Sequence, residues 1–306
     1  MKQLIEVAGS DIRILGRRLR TAKLEAEFYH FLSDPERVIA ALRGLPNGPD
    51  LFTFIQGAAD PAPSFKYHME WDNLALIPVS SFEHWWTKQL DSKARNQMRL
   101  AEKKGVVLRE APFNDELVRG IQKIYNETRI RQGRPFPHFG KDFETIYREE
   151  ATFLEHSIFL GAYLGDELIG FIKLVMDEQK TQAGMMNILS LINQRDKAPN
   201  NALIAEAVRV CAARGIPNLV YFRFVHGKRE RDGISDFKTN CGFRRVDVPR
   251  YYVPLTLWGH AALRLGLHNR LRDRIPEPVA ERLRELKKKW HAPKSSSLPA
   301  NTGAQP

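Results

Sequence analysis

The chain has 306 residues, of which 43% are hydrophobic and 27% are charged, and its formal net charge is +11. This composition excludes a disordered or fibrous chain and allows one large core or two modest ones. Two cysteines, Cys211 and Cys241, are too few for a disulfide framework and indicate a reducing compartment. No apolar leader and no run of about 18 apolar residues is visible, so the sequence predicts a cytoplasmic protein.

The first eighty residues carry short segments separated by Gly and Pro. In order these are strand-like residues 4–19, a helix at 23–43, a strand at 50–56, a loop at 58–64 and a strand at 74–79. Gly44 and Pro46 are expected to end the helix, and Pro61 and Pro63 exclude the loop from a helix interior or a central strand.

A longer helix is predicted over residues 82–104, opened by a capping box in which Ser80 is followed by Glu83. Cations recur along one face of this helix at Lys88, Arg95, Arg99 and Lys103. Such a stripe is either a solvated surface or a site for the phosphate of an acceptor or carrier. In the second interpretation Arg95 and Arg99 contact the substrate.

The middle of the chain predicts a helix at 114–133, a loop at 134–140, a helix at 141–155 and two strands at 157–164 and 168–176 joined by a tight turn. The loop mixes rigid prolines with aromatic residues and the titratable His138. It is either a lid over an acceptor site, with His138 in contact with the substrate, or a packed elbow.

An apolar run at 185–192 suits a buried strand, and a helix follows at about 200–214 with Gly215 as its stop. The first N–H groups of a helix lack intrahelical partners and lie at the positive end of its dipole. This strand, turn and helix therefore predict an anion site at residues 197–202. Another strand is expected at 218–225.

The residues that follow, Phe237-Lys238 and Cys241-Gly242-Phe243, resemble the end of a late helix in the GNAT acyltransferase superfamily, and more closely in its FemAB-like branch. Residues 92–105 resemble the Arg/Asn/Lys-rich helix of FemAB-like proteins. The order of two helices, a hairpin, a central strand, a helix and two more strands is also that of a GNAT domain. The resemblance covers roughly residues 80 to 255. One position departs from it, because Asn200 stands where the family's pyrophosphate loop has glycine.

The resemblance implies an α/β fold with a GNAT-like mixed sheet flanked by helices. We expect an N-terminal α/β half that resembles a degenerate GNAT-like half, a GNAT-like acyltransferase domain, basic amphipathic C-terminal helices and a disordered tail, at 1–110, 111–254, 255–291 and 292–306 respectively. The C-terminal helices either pack on their own domain or dock on the anionic inner face of a membrane.

The resemblance also implies a reaction, in which an acyl group moves from acetyl-CoA or another acyl-CoA to a primary amine. The expected acceptor is an amino sugar of a cell-envelope polysaccharide or its precursor, either small or lipid-linked. Two alternatives stay open: a FemAB-like aminoacyltransferase that uses aminoacyl-tRNA on a peptidoglycan-type precursor, and an inactive GNAT-like binding module. The net charge suits coenzyme A, tRNA and anionic lipid alike. No metal is expected, because no His pair has the spacing of a zinc helix and no Cys pair forms a CxxC motif.

Site residues follow from the same resemblance. Backbone donors on the central strand, around Leu189 and Leu191, would hold the oxyanion. The donor's carrier would lie against Lys197, Asn200, Asn201, Ala202, Phe237 and Lys238. The candidates for acid–base chemistry are His226, Asn187, Ser190 and Tyr221, and His226 is either a base or a loop histidine bonded to its neighbours.

Overall fold

A computed structural model describes residues 2–25, 27, 29, 31–32, 34–58, 62–131, 133–225 and 233–269. The predicted base His226, the end of the predicted C-terminal helices and the predicted tail lie outside these residues. In the part of the chain that the structure describes, no helix combines the length and the apolar character that a membrane crossing requires.

The strands are β1 (Lys2–Val7), β2 (Ser10–Leu15), β3 (Thr21–Leu24), β4 (Leu51–Ile55), β5 (His68–Pro78), β6 (Val107–Ala111), β7 (Ile130–Arg131), β8 (Arg134–Pro135), β9 (Ser157–Leu164), β10 (Glu167–Met176), β11 (Ala183–Ser190), β12 (Asn218–Val220) and β13 (Arg244–Pro254). The helices are α1 (Pro35–Arg43), α2 (Phe82–His84), α3 (Ser92–Lys103), α4 (Asp115–Asn126), α5 (Phe143–Glu150), α6 (Pro199–Ala213), α7 (Gly233–Asn240) and α8 (Leu257–Arg264). A π-helical turn covers Trp85–Gln89, and 3-10 turns cover Leu154–His156 and Ile192–Lys197.

Eleven strands form one mixed sheet in the order β1-β2-β3-β4-β13-β5-β12-β11-β10-β9-β6. This sheet repeats one topology. β1, β2 and β3 are antiparallel neighbours and β3 is parallel to β4, while β9, β10 and β11 are antiparallel neighbours and β11 is parallel to β12. In both sets a helix, α1 or α6, connects the parallel pair. The N-terminal half thus has the strand plan of the second half.

The last strand of each half lies beside the other half. β5 pairs with β12, β13 pairs with β4, and β5 and β13 pair with each other at the centre of the sheet. The sheet is therefore continuous across the predicted boundary at residue 110, which stays a prediction.

Helices cover both faces of the second half. On β10, Phe171 lies beside the Tyr125 ring of α4, with ring centroids 6.0 Å apart, whereas the neighbouring Gly170 faces Leu203 of α6. Successive strand residues point to opposite faces, so α4 and α6 lie on opposite sides of the sheet. One apolar core joins β9, β10, β11 and these helices.

The prediction of one continuous helix over residues 82–104 is wrong. The chain breaks at Leu90, and Asp91 begins α3 as an N-cap that accepts from the N–H of Lys93. Likewise Ser81, and not Ser80, caps the first piece. Because Lys88 precedes the break, the four cations do not form a stripe along one helix.

Two other predicted boundaries are corrected. The helix expected from residue 23 begins at Pro35, because residues 21–24 form β3, which pairs with strands on both sides. The strand expected at 218–225 ends at Val220, and Phe222 then adopts a left-handed conformation with φ +43°.

Candidate functional site

The central strands β11 and β12 separate after a short parallel pairing, at Ala183 with Leu219 and Gly184 with Val220. Beyond it the Tyr221 N–H donates to the Ala75 carbonyl at 2.8 Å, so the chain after β12 follows β5 and leaves β11. Residues 186–189 of β11 are half-buried although the strand lies in the middle of the sheet. We call the opening between residues 185–190 and residues 221–222 the splay.

Backbone N–H groups line the β11 side of the splay. The Leu191 N–H donates to the Ile169 carbonyl of the neighbouring strand at 2.9 Å. Because an antiparallel ladder alternates, the Leu189 N–H also points toward β10, and the N–H groups of Ile188 and Ser190 point toward the splay. The N–H of Ser190, between the two predicted oxyanion donors Leu189 and Leu191, thus points toward the splay, and the oxyanion role of these residues stays a prediction.

Two tyrosines lie at the splay. The Tyr29 hydroxyl lies 3.3 and 3.4 Å from the carbonyl oxygens of Met185 and Met186, which it can reach as a donor. Burial raises the pKa of Tyr221 to about 12, with a smaller contribution from Cys241, and raises the pKa of Tyr29 further. Both hydroxyls are therefore protonated donors near neutral pH, which removes Tyr221 as a general base there.

Lys238 joins the splay from α7. Its side chain is buried, its Nζ donates to the Arg223 carbonyl, and the same atom lies 4.3 Å from the centroid of the Tyr221 ring. The structure thus brings together Tyr221 and Lys238, two of the residues that the sequence proposed. Phe237 beside them packs against the apolar core.

On the α4 face of β11, four side chains form what we call the Glu150 cluster: Tyr125, Glu150, Lys173 and Asn187. The Glu150 carboxylate accepts from the Tyr125 hydroxyl at 2.7 Å and from Asn187 Nδ2 at 3.0 and 3.2 Å. Lys173 Nζ donates to the Glu150 carbonyl at 2.7 Å and to the Thr152 carbonyl at 2.6 Å. Glu150 and Lys173 are buried, whereas Asn187 is half-buried at the open part of β11.

Burial moves both charged groups of the Glu150 cluster toward neutrality. It raises the pKa of Glu150, against the opposing hydrogen bond from Tyr125 and the charge of Lys173. It lowers the pKa of Lys173 to about 8, against the opposing charge of Glu150. Desolvation favours the uncharged form of each group, so both can exchange protons closer to neutral pH than exposed residues do.

His138 lies against this cluster. Its ring centroid is 4.4 Å from that of Tyr125, and its Nδ1 is 3.1 Å from Lys141 Nζ. Burial and then the charge of Lys141 lower the pKa of His138, so the imidazole is neutral at pH 7. His138 and Asn187, proposed separately from the sequence, are therefore linked through Tyr125 and Glu150.

The loop before α6 makes several hydrogen bonds within the chain, and the predicted anion site at residues 197–202 stays a prediction. Glu127 accepts from the Ile192 N–H at 2.6 Å and the Asn193 N–H at 3.0 Å, and the Ala198 carbonyl accepts from the N–H groups of the third and fourth helical residues. Pro199 at the first helical position has no N–H. Ile192 and Asn193 thus lie before the predicted site, and the Asn201 and Ala202 N–H groups make the bonds of an ordinary first helical turn.

Three solved structures match nearly the whole chain. The C-terminal domain (DUF2156) of a protein named as a lysylphosphatidylglycerol synthetase from Agrobacterium fabrum is 16% identical, with 86% of this chain and 87% of that chain covered and a TM-score of 0.55. L-PGS from Bacillus licheniformis is 13% identical, with 87% and 86% covered and a TM-score of 0.55. FemX is 11% identical, with 87% and 90% covered and a TM-score of 0.53. No protein-family model and no curated protein matches the sequence.

The chain has a GNAT-like fold. The predicted mixed sheet flanked by helices is confirmed by the shared fold and by the strand order. The Gly242-Phe243 pair, which suggested this fold, has a packing role in the chain. Gly242 has φ +87°, and a Cβ there would lie 2.9 Å from Trp85 Nε1. That indole N–H donates to the Cys241 carbonyl at 3.1 Å, and Phe243 is buried.

Three more of the residues proposed from the sequence are Ser190, Asn201 and Ala202. The Ser190 side chain faces Gly170, on the α6 side, and its carbonyl accepts from Arg131 at 3.0 Å. Asn201 Nδ2 lies 3.8 Å from the sulfur of Cys241, and Ala202 is buried in the core. Their functional roles stay predictions.

Two of the proposed cations, Lys197 and Arg95, contact acceptor groups nearby in the chain. Lys197 lies 3.4 Å from the Asp196 carboxylate, and Asn200 Oδ1 is buried without a hydrogen-bond partner in the part of the chain that the structure describes. The Arg95 guanidinium donates to the Trp86 and Leu90 carbonyls, where it closes the π-helical turn. Arg99 is exposed, and its guanidinium carbon lies 5.9 Å from the centroid of the Trp86 ring. Of the two proposed substrate arginines, Arg99 is exposed and Arg95 is half-buried.

Sequence reasoning missed Glu150, Tyr125, Lys173 and Glu127. A signal existed for one of them. Glu150 lies four residues after the buried Ile146 on α5, so it is a carboxylate on the apolar face of an amphipathic helix. An acid at such a position requires a hydrogen-bonding partner inside the fold.

Proposed function

We propose that this protein is an acyltransferase whose donor carbonyl binds in the splay and whose acceptor amine binds beside Asn187. The observation that carries the proposal is the separation of β12 from β11, which leaves the N–H groups of Ile188 and Ser190 directed into an opening. Preorganised N–H donors stabilise the oxyanion of acyl transfer, and one donor typically contributes about 100- to 1000-fold in rate.

Asn187 is suited to hold the acceptor. Its Nδ2 donates to Glu150, which orients the amide and leaves Oδ1 as the end that can accept from an amine. The attacking amine must lose its proton to a base. The described groups of this region that can take it are Glu150, whose pKa is raised by burial, and the neutral His138, which contacts Tyr125.

The donor has two candidates, acyl-CoA and aminoacyl-tRNA. The loop before α6 favours aminoacyl-tRNA, because Pro199 has no N–H to offer a pyrophosphate and Asn200 stands where the family's pyrophosphate loop has glycine. The net charge of +11 suits a nucleic acid. One structure with the same fold is also named as a domain of a lysylphosphatidylglycerol synthetase, and lysylphosphatidylglycerol is an aminoacyl lipid. Acyl-CoA remains the candidate that the GNAT resemblance supports.

The donor is tested with the purified full chain, radiolabelled acetyl-CoA or a mixture of charged tRNAs, and an amino sugar or a lipid-linked amino sugar as acceptor. We expect amine-dependent loss of the label from charged tRNA. Label transfer from acetyl-CoA alone would reverse the choice of donor, and transfer from neither donor to any amine would overturn the proposal.

The acceptor side is tested with Asn187→Ala, for which we expect a fall in kcat of about tenfold or more, because the amide that positions the amine is gone. Asn96→Ala is the matched control, since Asn96 is an exposed residue of α3 away from the Glu150 cluster. Equal activity of the two variants would remove Asn187 from the site.

We further propose an acceptor at an anionic membrane surface. α8 and the residues after it expose large apolar side chains, with Leu257 91% and Leu265 66% exposed, and Arg264 lies between them in sequence. Apolar side chains next to cations suit peripheral contact with anionic lipid. Flotation of the full chain with phosphatidylglycerol vesicles should fall when both leucines are changed to Ser, and equal flotation would contradict this step.

A further inference from the structure

A second group of chemically active side chains lies on β5 and in the segment after α8. Three ligand-type residues, His68, Glu70 and His268, bring one nitrogen or oxygen atom each within 4.8 Å of one another. His268 Nε2 lies 2.7 Å and His68 Nε2 lies 3.7 Å from the same carboxylate oxygen, Glu70 Oε1. We call this group the His-Glu-His cluster.

The cluster joins residues from two separate parts of the chain, and each part is held in place by packing. His68 and Glu70 are two residues apart on one strand, so their side chains share a face of the sheet. His268 comes from the chain beyond α8, and its side chain is only 3% exposed. The ring centroid of Tyr252, on the neighbouring strand β13, lies 4.6 Å from that of His268 and 6.1 Å from that of His68. Both imidazoles are therefore held by packing as well as by the carboxylate.

Several nitrogen atoms approach one carboxylate oxygen of the cluster, and the second ring nitrogen of His268 does not take part. His268 Nδ1 is buried and has no hydrogen-bond partner among the described residues. Glu70 Oε1 is approached by His268, by His68 and, at 3.3 Å, by Asn269 Nδ2. Three groups thus converge on one carboxylate oxygen, and both imidazoles approach it through Nε2, which leaves a ligand nitrogen of each ring on the same side as the carboxylate.

These distances fit a metal ion with small adjustments. Zinc binds imidazole nitrogen and carboxylate oxygen at about 2.0–2.2 Å, so tetrahedral ligand atoms lie about 3.3 Å apart. The observed separations of 2.7 and 3.7 Å lie on either side of this value. His68 is 47% and Glu70 35% exposed on the side chain, which leaves an entry path and room for a water ligand.

We propose that the His-Glu-His cluster binds one divalent cation of the zinc class. Two imidazoles and one carboxylate suit Zn²⁺, Co²⁺ or Ni²⁺, whereas Mg²⁺ and Ca²⁺ prefer oxygen ligands. The bound ion would fasten the segment after α8 to the centre of the sheet, because His268 belongs to that segment and the other two ligands belong to β5. The site is separate from the splay and independent of the proposed transferase activity.

The test uses the full chain, purified without a polyhistidine tag and treated with EDTA. Calorimetric titration with Zn²⁺ should give one ion per chain, Co²⁺ should give the visible absorption of a low-symmetry site, and Mg²⁺ should not compete. His68→Ala and His268→Ala should each weaken Zn²⁺ affinity at least tenfold and abolish the rise in Tm on adding zinc. His260→Ala, which changes an exposed histidine of α8, should behave as the unaltered chain.

His68→Ala keeps the test decisive if His268→Ala fails to fold, because the His68 side chain is largely accessible. Zinc affinity that is equal in His68→Ala and in the unaltered chain would assign any bound zinc to other residues and overturn the proposal. Failure of the unaltered chain to bind Zn²⁺ at micromolar concentration would overturn it as well.

Discussion

Lys173 gives the most quantitative prediction. Its side chain is fully buried on β10, and burial lowers its pKa from 10.5 to about 8, against the opposing charge of Glu150. A pKa lowered this far corresponds to about 3 kcal/mol of folding free energy lost at neutral pH. Between pH 8 and 10.5 the unfolded chain binds more protons at this lysine than the native chain does. The free energy of unfolding should therefore rise with pH across that window as the cost is relieved.

The assay is urea unfolding at pH 7.5, 9 and 10, with Lys173→Met compared with the unaltered chain. The variant removes the buried charge but also loses hydrogen bonds to buried carbonyls, so the pH dependence of its stability, and not its absolute stability, is the readout. Relative to the variant, however, the unaltered chain should gain about 2 to 3 kcal/mol between pH 7.5 and 10. Lys123→Met, at an exposed lysine of α4, is the control and should follow the unaltered chain. Parallel pH dependence of Lys173→Met and the unaltered chain would refute the reasoning.

Three further predictions concern the motif glycine and the neighbours of the splay. Gly242→Ala should lower the free energy of unfolding in urea by about 2 kcal/mol, because φ is +87° and the added Cβ would lie 2.9 Å from an indole nitrogen. The control is Gly233→Ala, whose added Cβ would have no atom of the described residues within 4 Å. Equal losses of stability in the two variants would contradict the packing role of Gly242. Arg131→Met should cost about 2 to 3 kcal/mol, because it removes donors to the Ser190 carbonyl and a second buried carbonyl, and an unchanged urea midpoint would rule this out. Glu150→Gln should lower kcat at least tenfold and change the pH–rate profile, while an unaltered profile would exclude the carboxylate from proton transfer.

Local sequence patterns predicted the elements whose signals are local. The hairpin of β9 and β10 and the helix α6 lie within one or two residues of their predicted bounds. The break before α3 depends on Asp91, whose N-cap signal lies inside an otherwise helical pattern. The repeated strand plan was expected from the resemblance alone, because the two halves show no sequence repeat that can be aligned, and the exchange of their last strands has no local signal.

The candidate site was only partly accessible to sequence reasoning, because its contacts join distant residues. Asn187 was proposed as a polar residue on the central strand, but its partner Glu150 lies 37 residues earlier on α5. His68 and Glu70 have the spacing of a strand face, which a search for helical zinc spacing does not detect, and their third partner lies on another element. The hydrogen bonds of the loop before α6 also join distant residues, because Glu127 lies 65 residues before the Ile192 N–H from which it accepts.

The central claim is that the reacting carbonyl lies against the splay edge of β11. Hydrogen–deuterium exchange of a peptide covering residues 186–191, measured with and without charged tRNA or acetyl-CoA, tests this claim most directly. We predict slower exchange at Ile188 and Ser190 with the true donor and unchanged exchange in α1, which lies in the N-terminal half. A donor that supports transfer but leaves residues 186–191 unprotected would contradict the account.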